Sequence, residues 1–291
     1  IDMMKLDAKA KSAGVSATIG LGASPGLTNL MALIAIRELD EVTTVYTGWD
    51  IGGTSLDENA MQQSENAAMM HGVEQMTGRV KVFQDGVFKM VRPLKKINVK
   101  YPGLANFNGN IFGHPEAVTF PNYFPKLQDS INLAHGGHAD FFILKFIMSL
   151  VNLRLLSKEK AAHLFSLLEG EQSSQKRHKG VDYPPVMYGF AHGIKNGMPA
   201  SVGVCIPSDT EDSDMNEQIK NIGMGEITGI PLACGIKMLA EGRIVQTGVL
   251  APEAGHIEPH GFITDVFEEI SIVLGLPKDS LNNSIQITRS W

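Results

Sequence analysis

Gly20-Leu21-Gly22-Ala23-Ser24-Pro25-Gly26-Leu27-Thr28-Asn29-Leu30 (GLGASPGLTNL, residues 20–30) joins a β-like run, Val15–Ile19, to an apolar run that reaches Arg37. Small residues between a strand and a helix let the backbone come close to a ligand, and a dinucleotide phosphate loop is built this way. The spacing here is Gly20-x-Gly22-x-x-x-Gly26, one residue too long for G-x-G-x-x-G, and no acidic residue closes a following strand at the right distance. The stretch therefore reads as strand, tight turn and helix. Apolar residues at Leu27, Leu30, Met31, Leu33, Ile34 and Ile36 predict a largely buried helix from Gly26 to Arg37. Pro25 is expected at its start, where a missing N–H costs nothing.

Working outward, residues 3–13 predict a short helix stopped by Gly14, and Glu41–Trp49 (EVTTVYTGW) a β-branched, aromatic strand. Residues 57–77 read as a polar helix capped by Asp57. Alternating runs on either side of Asp85-Gly86 predict a β-hairpin, and a second is expected around Asn196-Gly197, between Pro185–Ile194 and Ala200–Ile206. From Lys95 to Pro125 the chain is rich in proline and glycine and reads as loop, interrupted by a strand-like Ala117–Phe120. Ser130–Leu133 is a further short strand. Helices are expected at Asp140–Leu153, at Lys158–Leu168 behind the cap Ser157, and at Phe262–Leu274. Glu171–Lys179 reads as a linker and residues 208–216 as a solvated acidic loop. Asn216–Glu241 predicts a long helical region that Pro231 kinks or divides, and Val245–Val249 a short strand. No internal repeat is apparent. The sum is a mixed α/β fold, with a largely antiparallel or mixed sheet flanked by helices.

The bulk numbers narrow the function classes. With 291 residues the chain suits one large domain or two modest ones, and a net charge of −6 gives no reason to expect nucleic acid as a partner. No apolar run reaches the ~18–20 residues that span a bilayer. Phe141–Leu156 comes nearest and is broken by Lys145, Asn152 and Arg154. No signal peptide is visible. Cys205 and Cys234 allow one bridge, but two buried free thiols in a reducing, cytoplasmic setting are the expectation.

The opening turn, the Asp85-Gly86 hairpin, GHPEAVTFPNYFP (113–125) and TGIPLACGIKMLAEGRIVQTGVLAPE (228–253) occur in this order. Together they resemble the saccharopine dehydrogenase-like family, over nearly the whole chain. That resemblance implies an NAD(P)-dependent oxidoreductase acting on a C–N bond of an amino acid or polyamine precursor. It implies a homodimer formed through the mixed sheet, with NAD or NADP used by the full-length protein and none held tightly by this chain. Residues 1–40 are then expected to be the end of a Rossmann segment and a seam helix, residues 41–215 a substrate-binding and dimerisation domain, and residues 216–291 helices returning to the cofactor side. The chain begins mid-pattern, as expected of an excised portion. The alternative is a non-catalytic ligand-binding or dimerisation domain of the same fold.

The resemblance also distributes roles. Gly22, Pro25, Gly26 and Thr228 fall on the cofactor side, although Thr228 as a helix cap needs no other role. Ser24 stands where the family pattern Gly-x-Asp-Pro-Gly carries a carboxylate, and it keeps hydrogen bonding without charge. Gly52 and Gly53 match family glycines near the substrate, or merely end a strand. Asp50 beside them either orients a substrate amine or serves a turn. His114 and Glu116 lie in a substrate loop, and Asn132 on the strand that follows. His135 and His138, in His135-Gly136-Gly137-His138, are the expected acid/base pair lining the cleft, against a plain reading as exposed loop histidines. Their spacing lacks the i, i+4 geometry of a helical zinc site, and no metal is expected. His192 is expected to belong to its hairpin. Pro252-Glu253 is expected to close the domain structurally.

Overall fold

The computed structural model describes residues 2–51, 67–136, 138–164, 184–207 and 222–291. Eleven strands are found among them: β1 Ser16–Thr18, β2 Glu41–Asp50, β3 Val80–Gln84, β4 Val87–Val91, β5 Lys96–Val99, β6 Phe107–Phe112, β7 Asp129–His135, β8 Met187–Lys195, β9 Met198–Ile206, β10 Gly248–Leu250 and β11 Gln286–Ser290. The named helices are α1 Asp7–Ser12, α2 Leu27–Arg37, α3 Ala67–Gln75, α4 Glu116–Thr119, α5 His138–Asn152, α6 Met224–Ala240 and α7 Pro259–Val273.

Nine strands form one mixed sheet in the order β11-β9-β8-β2-β7-β3-β4, and β6 also pairs with β7 and carries β5. Only β2 and β7 run parallel within it, with Thr47 opposite Asn132 and Asp50 opposite His135. A separate two-stranded sheet pairs β1 with β10 in parallel, Ala17 opposite Val249. The mixed α/β architecture is thus as the sequence predicts. Both hairpin turns form where expected. Asp85 and Gly86 have φ of 52° and 74°, and Asn196 and Gly197 51° and 76°. Two successive left-handed residues make the turn whose twist suits a two-residue hairpin.

α2 is the hub. Every residue from Leu27 to Ile36 is buried, as the all-round apolar pattern requires. One side packs on β8, β9 and β2, and the other meets α7. Gly189 on β8 makes this approach possible, because a Cβ there would sit 2.1 Å from the Ala32 backbone nitrogen. The core around α2 joins Val45, Val202, Val204, Ile227, Phe262, Val266 and Phe267. The opposite face of the sheet is covered by an aromatic cluster that includes Tyr101, Phe107, Tyr188 and Phe190.

Several elements differ from expectation. Ala117–Phe120 is helical, not a strand: Val118 and Thr119 both donate to the Pro115 carbonyl, and all four residues of α4 are buried. Burial beside β7 outweighs the β-propensity of Val118 and Thr119. The supposed loop 95–125 contains the hairpin β5–β6, whose Asn-rich residues hide the alternation. α6 is one helix that includes Pro231; the ring removes a single N–H without dividing the element. Pro25 lies outside α2, joined to Ser24 by a cis bond, and Gly26 is the cap. The strand near Val245 begins only at Gly248. β11 is an added edge strand on β9, too polar to be recognised by alternation. Residues 158–164 are helical as expected. The Asp57 cap, the 171–179 linker and the 208–216 loop lie outside the described residues.

Candidate functional site

The turn before α2 closes on itself. Gly22 N–H donates to the Pro25 carbonyl (2.8 Å), Leu27 N–H to the Gly22 carbonyl (2.9 Å) and Thr28 N–H to the Ala23 carbonyl (3.1 Å). Gly26 N–H is taken by Asn29 Oδ1 at 2.9 Å. Gly26 has φ of 136°, and a Cβ there would lie 2.0 Å from the Gly22 carbonyl oxygen, so only glycine fits. The turn presents Ser24, half-buried, towards α4 and β7.

There Glu116, 1% exposed, receives it. Glu116 Oε1 accepts from the Ser24 hydroxyl (2.5 Å), the Thr28 hydroxyl (3.1 Å) and Asn132 Nδ2 (3.2 Å). Asn132 Nδ2 also lies 2.9 Å from Thr47 Oγ1, its cross-strand partner on β2. His114 Nδ1 sits 3.3 Å from both Glu116 Oε2 and Ser24 Oγ. The Ser24 proton points at Glu116, so Nδ1 faces two acceptors and carries the N–H. This leaves Nε2 as the nitrogen turned away from both acceptors. The Trp49 and Phe112 rings flank the imidazole at 6.0 and 5.4 Å. Burial alone raises the Glu116 carboxyl, but the His114 imidazole and the Ser24 hydroxyl bring it below its ordinary value. The arrangement is a carboxylate that orients a histidine, with only a tenth of that histidine's side chain exposed. Such a pair can hold and move one proton.

A second acid lies behind the same turn. Glu253, in the 3-10 turn Pro252–Ala254 after β10, is 2% exposed, and its Oε2 accepts from Asn29 Nδ2 at 2.8 Å. Burial pushes its carboxyl up to about 7, with the Glu116 charge adding to the rise.

The structure thus brings together Ser24, Pro25, Gly26, His114, Glu116 and Asn132. Gly22 and Thr228 join them at the turn, a Cβ on Gly22 falling 3.3 Å from Thr228 Cγ2. His135 is elsewhere. It follows Asn132 by three on β7 and so points to the opposite face, among the Phe107 and Tyr188 rings. It is 2% exposed, not a loop histidine, and Nε2 donates to the Pro185 carbonyl at 2.8 Å. Burial lowers its pKa, opposed by the Asp50 charge and by that carbonyl. Asp50 ends β2 beside it and is buried. His138 opens α5, and its side chain, like Gly52 and Gly53, lies outside the described residues. His192 bonds Ser201 Oγ within its hairpin (2.8 Å). Cys205 and Cys234 are both free and buried. Among the described residues no group of three or more metal-ligating side chains converges, and no helix is long and apolar enough to cross a membrane. Two surface clefts of about 690 Å³, one lined by Glu74, Arg79 and Lys158 and one by Met70, His163 and Leu164, involve no residue of this cluster.

Thr28, Asn29 and Thr47 carry no expectation from the sequence, and Glu253 reads there only as closing the domain structurally. The usable signal was Thr28-Asn29: two polar residues at the start of a helix that is otherwise apolar all round.

No family model matches the chain, and no curated protein matches it. Among solved structures it is similar to apo saccharopine dehydrogenase (L-Glu forming) from Saccharomyces cerevisiae, with a TM-score of 0.50 and 12% identity over 99% of this chain and 77% of that one. At that identity the likeness establishes a shared, distant fold and nothing finer.

Proposed function

We propose that this chain is the substrate-side portion of an NAD(P)-dependent oxidoreductase acting on a C–N bond of an amino acid or polyamine precursor. The observation that carries this reading is the His114–Glu116 pair meeting the Ser24-Pro25-Gly26 turn at the junction of the two sheets. Glu116 orients the imidazole, His114 Nε2 gives or takes the proton that accompanies a change at nitrogen, and Ser24 and Asn132 hold a polar group of the substrate. The saccharopine dehydrogenase fold supports the class. The turn itself does not fit a dinucleotide phosphate, since the amides of Gly22, Gly26, Leu27 and Thr28 are all spent within it. In this reading the cofactor phosphates are held by residues other than these. In the same reading residues 1–40 and 216–291 face the cofactor, residues 41–215 bind substrate, and the protein is a cytoplasmic homodimer through its mixed sheet.

The test is turnover by the full-length protein, followed by nicotinamide absorbance, with amine and 2-oxo-acid pairs. His114→Gln is expected to lower kcat about 100-fold or more, the usual worth of a positioned acid/base. Equal turnover by the variant would remove His114 from the role. A second reading, a non-catalytic binding domain, is favoured by the Glu116 oxygen being saturated by donors from the protein itself. It predicts no turnover with any such pair.

A further inference from the structure

We propose that Glu253 is a positioning residue that sets the Ser24-Pro25-Gly26 turn from behind, and that it does so as a neutral acid, so that the turn responds to proton release. The path is continuous. Glu253 Oε2 fixes the Asn29 amide at 2.8 Å, Asn29 Oδ1 fixes Gly26 N–H at 2.9 Å, and Gly26 is two residues from the Ser24 hydroxyl that meets Glu116. The Asn29 amide is itself fully buried, so it has no other polar environment to turn to.

The protonation state follows from what surrounds the carboxyl. Oε1 is buried without a well-formed hydrogen bond, although the Thr119 hydroxyl interacts with the group. α2 contributes only the Asn29 amide. α4 contributes Thr119 and a second carboxylate, Glu116. Tyr123, just after the 3-10 turn Phe120–Asn122 that follows α4, contributes its phenol, whose oxygen accepts from Ala251 N–H, with Asp7 and Lys11 of α1 acting on that phenol in turn. His256, three residues on, is occupied with Thr18 Oγ1 at 3.0 Å. Among the described residues no cation forms an ion pair with Glu253, and the neighbouring acid has already taken the His114 imidazole. A buried carboxylate oxygen without a well-formed hydrogen bond and another carboxylate nearby favour the protonated form. The proton belongs on Oε1, and Oε2 is left to accept from Asn29. On proton loss the buried charge falls on the carboxyl that anchors the turn.

The experiment uses the chain labelled with 15N and with 13C at glutamate carboxyls. The Glu253 carboxyl carbon is expected to titrate near pH 7, and the Gly26 N–H and Asn29 side-chain amide signals are expected to shift with the same midpoint. In Glu253→Gln these shifts are expected to vanish, with both signals held at their low-pH wild-type positions. A carboxyl step below pH 5 overturns the proposal. So does a midpoint near 7 at Gly26 that persists in Glu253→Gln, which assigns the titration to a group other than Glu253. Should the variant fail to fold, the wild-type carboxyl titration decides by itself. Neither measurement depends on turnover, so the proposal stands or falls separately from the function proposed above.

Discussion

Glu116→Ala tests whether the polar cluster is a tie between elements or merely packing. The wild-type carboxylate serves donors from three elements: Ser24 in the turn, Thr28 on α2 and Asn132 on β7. Ser24 is half-buried and can turn to water at little cost. Asn132 keeps Thr47 as a partner. Thr28 is fully buried and is left with an orphaned hydroxyl, worth about 1–3 kcal/mol. The lost methylene adds about 0.8 kcal/mol before any cavity term. Relief of the buried charge offsets part of this. The expected net destabilisation is about 2 kcal/mol. Glu116→Gln keeps an acceptor at Oε1 and is expected to cost about half as much, because the bonds lose their charge assistance. Urea denaturation followed by circular dichroism at pH 7 measures both. A cost for Glu116→Ala below about 1 kcal/mol, or a glutamine variant weaker than the alanine one, refutes the reasoning. A cycle with Thr28→Val isolates the hydroxyl: a coupling of about 1 kcal/mol is expected, and additivity would exclude the contact as a stabilising one.

The wild-type carboxyl of Glu116 lies below its unfolded value, so its contribution is present above about pH 4.5 and is lost as the pH falls through the folded value; acid titration of Glu116→Gln is expected to lack that loss. Glu253 has the opposite sign: raised from 4.5 to about 7, it stabilises fully below 4.5 and ceases to do so as the pH climbs through 7, so Glu253→Gln is expected to gain on wild type between pH 5 and 8 in urea midpoints. His256 is held down at about 4 by burial, so stability is expected to fall as the pH drops from 6.5 towards 4, and His256→Gln is expected to flatten that limb. Gly189→Ala places a methyl 2.1 Å from the Ala32 nitrogen, where a helix backbone cannot yield alone; a loss of about 1–3 kcal/mol is expected, and a change within experimental error would mean that α2 shifts freely on β8.

The sequence determined by itself what local physics controls. The apolar run 27–36 had to be a buried helix, Asp85-Gly86 and Asn196-Gly197 had to be hairpin turns, and Gly22–Gly26 was mis-spaced for a phosphate loop. Tertiary structure decided everything that depends on partners distant in the chain. Ala117–Phe120 became helical because burial beside β7 outweighs its local β-propensity, and the same packing brings Glu116 to Ser24 and Thr28, about 90 residues away. β11 and β5–β6 were fixed by the edges they pair with, not by their own alternation. His135 and His114 looked alike as histidines beside small residues. One strand position sent His135 into the aromatic core, while Glu116 and Ser24 claimed His114. Glu253 read as a domain-closing residue, and its burial against α2, beside a second carboxylate, is what makes it titratable near neutrality. Spacing along the chain carries none of this, because a carboxyl's charge state is set by what the fold packs around it.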